Sequence, residues 1–222
     1  MSKHSTIAIT GTGSGFGWSL AESALSRKAD LISIGRSHHP KALLNIDCDL
    51  SEVAQGLRLR ADQKLPRIDL LVLNAYEFGS AKRSTDVTSQ ELLRHFEINV
   101  IGQREVLDHF LTLASLDRVA IVSSGAARRG YQGWLSYCVG KAAFDSLIRV
   151  YSEEFPETNF FSISPGVIST PMNFRLREAP DAREFSWFDK LQAPKEAGRT
   201  AGEFLSLCLD SPPESGSWTA LA

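Results

Sequence analysis

Residues Thr6–Gly17 read TIAITGTGSGFG, an apolar β-branched run followed by a turn that contains four glycines. The run predicts a buried strand over Thr6–Thr10, and the residues after the turn predict a helix over Phe16–Lys28. Glycines permit a tight turn and a close backbone approach to a pyrophosphate, while the free N–H groups at a helix start favour phosphate. This order of elements is typical of a dinucleotide-binding α/β unit, although a glycine-rich turn by itself also serves as a plain connection.

The rest of the chain continues the alternation of short apolar strands and helical stretches. Continuous apolar strands are typical of a parallel sheet that is covered on both faces. We therefore predict an α/β single-domain Rossmann fold, doubly wound, with a mostly parallel sheet of about seven strands. The further strands are predicted at Leu31–Ile34, Leu43–Cys48, Ile68–Leu73, Arg118–Val122, Phe160–Ile163 and Trp218–Leu221, and the further helices at Ser89–Ala114, Ser136–Glu154 and Pro194–Leu209.

Length and composition indicate one domain over residues 1–222, with a substrate loop at about 170–194, where Thr170–Ala193 is the longest irregular stretch. A net charge of −2 gives no sign of a nucleic-acid surface. No apolar run approaches the roughly 20 residues of a membrane span, so we expect no membrane partner. Three scattered cysteines without a CxxC pair, and no signal peptide, predict a reducing, cytoplasmic location.

The second predicted strand ends at Ile34-Gly35-Arg36-Ser37. Dinucleotide sites often place an acidic residue there for the ribose hydroxyls. The guanidinium of Arg36 instead suits a 2′-phosphate, which it can bind in a bidentate fork. This favours NADP(H) over NAD(H), the alternative being that Arg36 is a solvated loop residue. His38 and His39 lie nearby without a clear third ligand, so we expect no metal site.

A phenol and an ammonium lie four residues apart in Tyr137-Cys138-Val139-Gly140-Lys141, which places them on one face of a helix. A free tyrosine titrates near pH 10, and a neighbouring positive charge lowers that pKa towards the range useful for acid–base catalysis. Ser123-Ser124 ends a predicted strand, where a hydroxyl can hydrogen-bond a substrate oxygen. Each feature alone also fits a surface pair or a loop cap.

Taken together, these motifs resemble the short-chain dehydrogenase/reductase family in its compact single-domain branch. The resemblance spans Thr6 to Leu209, and Ser124 fits the register of the family's catalytic serine better than Ser123. The motifs occur in family order: TGTGSGFG at Thr10–Gly17, CDL at Cys48–Leu50, LNAY at Leu73–Tyr76, INVIG at Ile98–Gly102, VSSG at Val122–Gly125, YCVGK at Tyr137–Lys141 and SPGVISTPM at Ser164–Met172.

The resemblance implies hydride transfer between a nicotinamide and a carbonyl or secondary alcohol, with reduction of a ketone or aldehyde favoured. Tyr137 would exchange the substrate proton, and Lys141 would hold the nicotinamide ribose and lower the tyrosine pKa. Ser124 would orient the substrate, and Asn99 would support a water that links Lys141 to solvent. The residues implied to bind the cofactor are Gly11, Ser14, Gly15, Phe16, Gly17, Arg36, Asp49, Leu50, Asn74, Ala75, Tyr137, Lys141, Pro165, Gly166, Ile168 and Thr170.

Three departures from the family pattern stand out. Tyr76 replaces a glycine and can crowd the cofactor edge, Ser14 replaces a common basic residue and weakens the NADP preference, and the chain stops soon after Trp218. Tyr76 and the short tail motivate one alternative, a cofactor-binding sensor or scaffold with little turnover. A separate alternative is a related lyase or epimerase that uses the same tyrosine. The complete set of Ser124, Tyr137 and Lys141 favours the reductase.

The expected partners are a small carbonyl or alcohol substrate and further copies of the chain, as a homodimer or homotetramer. An apolar substrate pocket is one interpretation of the loop aromatics, and their packing onto the core is the other. The loop residues concerned are Met172, Phe174, Phe185, Trp187 and Phe188, with Arg175, Arg177 and Arg183 for an anion. The candidate interface residues, which can equally be buried against the sheet, are Leu107, Phe110, Leu111, Phe144, Leu147 and Ile148.

Overall fold

The computed structural model describes residues 4–52, 65, 67–178, 183, 185–191 and 193–221. Its strands are β1 (Thr6–Thr10), β2 (Asp30–Gly35), β3 (Leu44–Asp47), β4 (Leu70–Leu73), β5 (Arg118–Val122), β6 (Asn159–Ser164) and β7 (Ser217–Ala220). They form one seven-stranded sheet in the order β3-β2-β1-β4-β5-β6-β7, and every neighbouring pair is parallel. The predicted doubly wound sheet is confirmed, including a last strand at Trp218.

Helices cover both faces of this sheet because alternate strand residues point to opposite sides. Ile7 and Ile9 of β1 face one apolar cluster, and Ala8 between them faces the other. The helices are α1 (Gly15–Ser26), α2 (Ser89–Phe96), α3 (Gly102–Leu113), α4 (Leu135–Glu154), α5 (Pro171–Arg177) and α6 (Ala197–Asp210). Among the described residues, none of these helices combines the length and apolarity needed to cross a membrane.

Trp18 of α1 is 38% exposed and lies against the ring of His39. The candidate interface residues on α3 and α4 are occupied within the chain, because these helices cover one sheet face. Leu107, Phe110, Phe144 and Ile148 are buried in that core, and Leu111 and Leu147 are partly buried against it.

The predicted single helix over Ser89–Ala114 is interrupted by a π-helical turn at Glu97–Ile101, which separates α2 from α3. α2 begins with a capping box, in which the Thr88 side chain accepts from the Glu91 backbone and the Glu91 side chain accepts from the Thr88 backbone. Asn99 lies in the π-helical turn, and its side chain is fully buried. Such turns are frequent at functional sites because they redirect a side chain.

The predicted irregular stretch Thr170–Ala193 is partly helical. α5 begins directly after Thr170, whose hydroxyl accepts a hydrogen bond from the Asn173 N–H, and Pro171 occupies the first helical position. The missing N–H of proline costs nothing there, which explains why TPM starts a helix. Residues 179–182, 184 and 192 of the predicted substrate loop lie outside the described residues.

Candidate active site

The turn between β1 and α1 requires glycine for two reasons: a positive φ at some positions and a lack of space for a Cβ at others. Gly11 and Gly15 have positive φ values of 75° and 58°, a conformation that favours glycine. A Cβ at Gly17 would lie 2.0 Å from the Gly11 carbonyl oxygen, and a Cβ at Gly13 would lie 2.6 Å from Ser37 Cβ. The turn therefore depends on the absence of side chains at these positions, in agreement with the tight turn that the glycines predicted.

The start of α1 suits an anion. Ser14 is the N-cap residue, but its side chain accepts no capping hydrogen bond, so within the described part of the chain the first N–H groups of the helix lack a side-chain cap. Arg36 follows β2, its side chain is 79% exposed, and its Nη1 lies 3.7 Å from Asp49 Oδ2. Ser51 donates two hydrogen bonds to Asp49 and, together with Arg36, lowers its pKa. These residues fit a dinucleotide cofactor.

The segment after β4 is tied to the end of β1. The backbone N–H groups of Asn74 and Ala75 both donate to Thr10 Oγ1 at 2.9 Å, and Asn74 Nδ2 donates to the Thr10 carbonyl at 2.9 Å. The Asn74 amide is thus used within the fold. Phe16 is also internal, because its ring packs edge-on against Phe204 at 5.9 Å in the core. Only the backbone of Phe16 is therefore available to a cofactor.

The loop after β6 closes over the same turn. A Cβ at Gly15 would lie 3.6 Å from Pro171 Cδ and 3.8 Å from Thr170 Cβ. Gly166 has a φ of 84° and is exposed, whereas Pro165 and Ile168 are buried. The structure therefore brings Thr170, one of the residues implied to bind the cofactor, next to the glycine-rich turn predicted for the pyrophosphate. Leu50 lies against α3, because a Cβ at Gly102 would be 2.5 Å from its carbonyl oxygen.

Tyr137 and Ser124 meet at the carboxyl end of β5. Ser124 follows the strand and caps a short 3-10 helix, where its hydroxyl accepts from the Ala126 N–H at 3.2 Å. Tyr137 lies in the first turn of α4, and burial raises the pKa of its phenol while the nearby Ser124 hydroxyl acts in the opposite direction. Ser123 points elsewhere, because its hydroxyl donates to the carboxylate of Asp145 at 3.0 Å. The structure thus places Ser124, rather than Ser123, beside the phenol.

Lys141 lies one turn further along α4 and is 4% exposed. Its Nζ donates to the Val122 carbonyl at 2.7 Å and lies 3.6 Å from the ring centroid of Tyr76. The ring of Tyr137 is further away, with its centroid 5.8 Å from Nζ. A π face at this distance attracts the cation and covers it from water.

Burial governs the titration of this pair. It raises the pKa of Tyr137 to about 12 and lowers the pKa of Lys141 to about 7. The sequence led us to expect a lowered tyrosine pKa, but the ammonium is directed towards Val122 and Tyr76 instead. In the structure, Tyr137 therefore keeps its proton at neutral pH, and Ser124 provides the opposing, lowering contribution.

Tyr76, the residue in place of the family glycine, fills the space beneath α4. Its ring lies 5.3 Å from that of Tyr137 and 5.6 Å from that of His95, and its hydroxyl would clash with any side chain at Gly140. Asn99 fixes the adjoining backbone, because its side chain accepts from the Glu77 N–H at 2.8 Å and donates to the Glu77 carbonyl at 2.9 Å. The Asn99 amide is thus engaged with protein backbone rather than directed at Lys141.

Aromatic rings that the motifs did not identify surround Tyr137. Phe78 and Trp134 lie 4.8 and 5.5 Å from its ring, and Trp134 also contacts Trp187 at 5.1 Å. Phe185 and Trp187, two of the predicted loop aromatics, are buried in this cluster, while Phe174 is 46% exposed. We call the rings of Phe78, Tyr131, Trp134, Phe185, Trp187 and Phe188 the aromatic wall.

The comparisons with known proteins agree with this geometry. The family model for the short chain dehydrogenases matches residues 5–181. The chain therefore belongs to the short-chain dehydrogenase family, as its motifs indicated. Members of this family bind a nicotinamide cofactor, and this chain is an NAD(P)-dependent oxidoreductase.

Particular relatives span most of the chain. It is 29% identical over 233 residues to a benzil reductase ((S)-benzoin forming) of Bacillus subtilis, covering 94% of each chain. It is 28% identical over 203 residues to an NADPH-dependent pterin aldehyde reductase of Arabidopsis thaliana, covering 80% of this chain and 83% of that one. A short chain dehydrogenase of Escherichia coli CFT073, solved with NADPH, superposes with a TM-score of 0.80 at 21% identity, covering 97% of this chain and 95% of that one.

Proposed function

We propose that this oxidoreductase works as an NADPH-dependent ketone or aldehyde reductase in which Tyr137 delivers the proton. The observation that carries the proposal is the placement of Ser124 close enough to Tyr137 to influence its phenol, with Lys141 one helical turn away. Because burial raises the pKa of Tyr137 to about 12, the phenol is protonated at neutral pH, which is the form that reduction consumes. The buried set favours this function over a sensor or scaffold.

Tyr137, Ser124 and Lys141 would have different chemical roles in the reduction. When bound, the nicotinamide supplies the hydride for the carbonyl carbon. Negative charge then develops on the carbonyl oxygen, and the O–H groups of Tyr137 and Ser124 are donors that can stabilise it. Ser124 has its proton available because its oxygen, not its hydrogen, is used by the Ala126 N–H. The ammonium of Lys141 stabilises the phenolate that remains, and two of its three N–H bonds are available beyond the one to Val122.

NADPH is the cofactor we favour over NADH. The exposed guanidinium of Arg36 lies beside the glycine-rich turn, and no acidic side chain occupies its position at the end of β2. Its partner Asp49, at 3.7 Å, is a loose contact that a phosphate can replace, since phosphate offers guanidinium a bidentate pairing. Dissociation constants for NADPH and NADH, measured by nucleotide fluorescence, test this preference. Equal constants would contradict it.

For the substrate, we propose a carbonyl conjugated to an aromatic or planar ring. The aromatic wall places rings within 4.8 and 5.5 Å of Tyr137, and such rings favour planar partners in stacked or edge-on contact. The names of the Bacillus and Arabidopsis relatives, a benzil reductase and a pterin aldehyde reductase, point to the same substrate class. A panel of aromatic diketones, aromatic aldehydes and aliphatic ketones, followed by NADPH absorbance, distinguishes this class. Higher kcat/KM for the aliphatic members would contradict it.

Tyr137→Phe tests the proton-transfer role. Removing one hydroxyl takes away the acid but not the helix or the aromatic packing. We expect kcat to fall by roughly 10²- to 10⁴-fold, while the Kd for NADPH stays unchanged. The matched control is Tyr151→Phe, whose hydroxyl lies elsewhere and donates to Asp108. A Tyr137→Phe protein with near-wild-type turnover, on any substrate of the panel, would exclude the phenol as the acid.

We also propose that the protein is a cytoplasmic homodimer or homotetramer. The free cysteines Cys48, Cys138 and Cys208 support a reducing compartment. Since the core residues first considered for the interface are occupied, the candidate surface is formed by exposed Leu93 of α2 and by Val139 and Val150 of α4. The two valines are eleven residues apart and therefore lie on one helical stripe. Light scattering that gives a mass near one chain of 24.4 kDa would contradict the assembly.

A further inference from the structure

A buried carboxylate lies directly behind the catalytic pair. Asp145 is in α4, four residues after Lys141, so both side chains project from the same helix face. Asp145 is 6% exposed and Lys141 is 4% exposed. A buried carboxylate and a buried ammonium each cost free energy unless an opposite charge or hydrogen bonds compensate for the lost water. Nothing in the family motifs of the sequence analysis used Asp145.

Asp145 is held from the sheet by a chain of directed hydrogen bonds. The indole Nε1 of Trp218, in β7, donates to Ser123 Oγ at 3.1 Å. An indole N–H can only donate, so the serine oxygen accepts there and its own proton goes to Asp145 Oδ2 at 3.0 Å. Asp145 therefore accepts at its contact with Ser123. Burial raises the pKa of Asp145, while Ser123, Ser162, Lys141 and Arg128 oppose that change and favour the ionised carboxylate. Its second oxygen, Oδ1, has no hydrogen-bond partner among the described residues.

The same two-residue segment holds both charges. Val122 accepts from Lys141 Nζ at 2.7 Å through its carbonyl, and Ser123, the next residue, donates to Asp145. The carboxyl end of β5 thus fixes the ammonium and the carboxylate relative to each other. Trp218 extends this fixation to the last strand of the sheet, and the guanidinium of Arg128 covers the indole from the other side at 5.3 Å.

We propose that Asp145 is a positioning residue that keeps Lys141 charged and in place, and that Trp218 and Ser123 hold its carboxylate for this purpose. The proposal rests on the function proposed above for Tyr137 and Lys141. It assigns a purpose to the short C-terminal strand, whose tryptophan reaches the charged pair through one serine.

The surrounding groups fix the direction of the effect. Lys141 faces Tyr137 and Asp145 on its own helix, Tyr76 from the segment after β4 and His95 from α2, while Arg128 acts on Asp145 from the 3-10 turn. Burial lowers the pKa of Lys141, and Asp145 opposes that change. Without this carboxylate, the pKa of Lys141 falls further and the amine is neutral over a wider pH range. A neutral amine no longer stabilises a tyrosine phenolate.

The experiment is an NMR titration of the chain without nucleotide, labelled with 13Cε-lysine. The Lys141 resonance is assigned by its loss in Lys141→Arg. We expect Asp145→Asn to lower the Lys141 midpoint by about one pH unit or more, a tenfold change in the ratio of ammonium to amine. The matched control is Asp108→Asn, which removes a carboxylate of α3 that pairs with Arg104 and should leave the midpoint unchanged. An unchanged midpoint in Asp145→Asn would overturn the proposal.

Two milder variants carry the test if Asp145→Asn does not fold. Trp218→Phe keeps a ring but removes the N–H donor, and Ser123→Ala removes the hydroxyl between Trp218 and Asp145. Both should move the Lys141 midpoint through the loss of a fixed carboxylate position, and midpoints equal to wild type in both would count against the proposal. Asp145→Glu, which restores the charge, should return the midpoint towards the wild-type value.

The pH dependence of turnover connects the titration to the reaction. In Asp145→Asn, we expect a lower kcat, a displaced pH profile and a small change in substrate KM, whereas a merely structural defect lowers activity equally at every pH. The two proposals fail separately. A wild-type chain that reduces no carbonyl overturns the proposed function, whatever the lysine midpoint does. Turnover in wild type with an unmoved midpoint in the variants overturns only the role of Asp145.

Discussion

The glycine-rich turn and the crevice under α4, which is formed by Tyr76, Val122 and Lys141, lie at the same edge of the sheet. Different features determine the geometry of the two regions. In the turn, backbone atoms decide the geometry: a Cβ at Gly17 would lie 2.0 Å from the Gly11 oxygen. In the crevice, side chains from separate elements decide it, because Lys141 of α4 contacts Val122 of β5 and the ring of Tyr76 after β4. The turn requires the absence of side-chain atoms, and the crevice requires particular neighbouring side chains.

This difference has a consequence for mutation. A backbone-defined turn tolerates no added atom, but it makes few demands on the identity of distant residues. A side-chain-defined crevice is sensitive to residues that never touch the substrate, since each buried charge depends on its neighbours. Substitutions in each region test whether the two are as separate as the structure indicates.

Gly17→Ala should give the largest effect. Since its Cβ would overlap the Gly11 carbonyl, the turn must shift, and we expect NADPH affinity to fall by more than about 100-fold, with a loss of about 1–3 kcal/mol in unfolding free energy. The matched control is Gly202→Ala in α6, where the nearest atom to a Cβ is Ser23 Oγ at 3.9 Å. Alanine there should stabilise the helix by about 0.5–1 kcal/mol. Fluorescence titration and urea unfolding measure both, and normal NADPH binding by Gly17→Ala would refute the backbone account.

His95 offers a test of the crevice through stability. Burial, assisted by the charge of Lys141, lowers the pKa of His95 from 6.5 to about 4. As the pH falls below 6.5, the unfolded chain takes up a proton that folded His95 refuses until about pH 4, so stability present at neutral pH is lost across this window. The difference of pKa corresponds to a loss on the order of 3 kcal/mol.

His95→Gln should remove this part of the pH dependence, measured by urea unfolding at pH 7.5 and 4.5. The variant should lose less stability on acidification than the wild type, because glutamine takes up no proton. His4→Gln changes an exposed histidine and serves as the control. If His95→Gln and wild type lose equal stability between the two pH values, His95 is not held neutral beneath Tyr76.

The contrast between the regions also explains what the sequence could predict. The positions of the strands along the chain and the glycine-rich turn follow from local patterns, apolar runs and glycine spacing, which need no knowledge of distant residues. The π-helical turn at Glu97–Ile101 was not predicted from the sequence, because it is fixed by a tertiary hydrogen bond between Asn99 and Glu77. The role of Asp145 was missed for the same reason, because its partners lie on other elements. The sequence did contain a signal, an acidic residue four positions after Lys141 in the largely apolar stretch GKAAFDSLI.

The proposed catalytic residues show the same division. Tyr137 and Lys141 could be proposed from their spacing and Ser124 from the family resemblance, and the structure brings Ser124 close to Tyr137. The direction in which the pKa of Tyr137 shifts could not be predicted from the sequence, because it depends on how completely the surrounding aromatic rings bury the phenol. Burial is a property of the assembled fold, and Phe78 and Trp134, which provide much of that cover, belong to different segments.

Arg36→Ala should give the smallest effect of this series, and it tests the turn from outside. The guanidinium is 79% exposed, so its loss should not alter stability, and it contacts no residue of the crevice. If it binds a 2′-phosphate, the Kd for NADPH should rise by about 10- to 100-fold, as expected for a charge-assisted hydrogen bond of about 1.5–3 kcal/mol, while the Kd for NADH changes little. Arg199→Ala, a similarly exposed arginine on α6, is the control. A parallel rise for both nucleotides would mean that Arg36 supports the turn in general, and the backbone would then not suffice to define the nucleotide site.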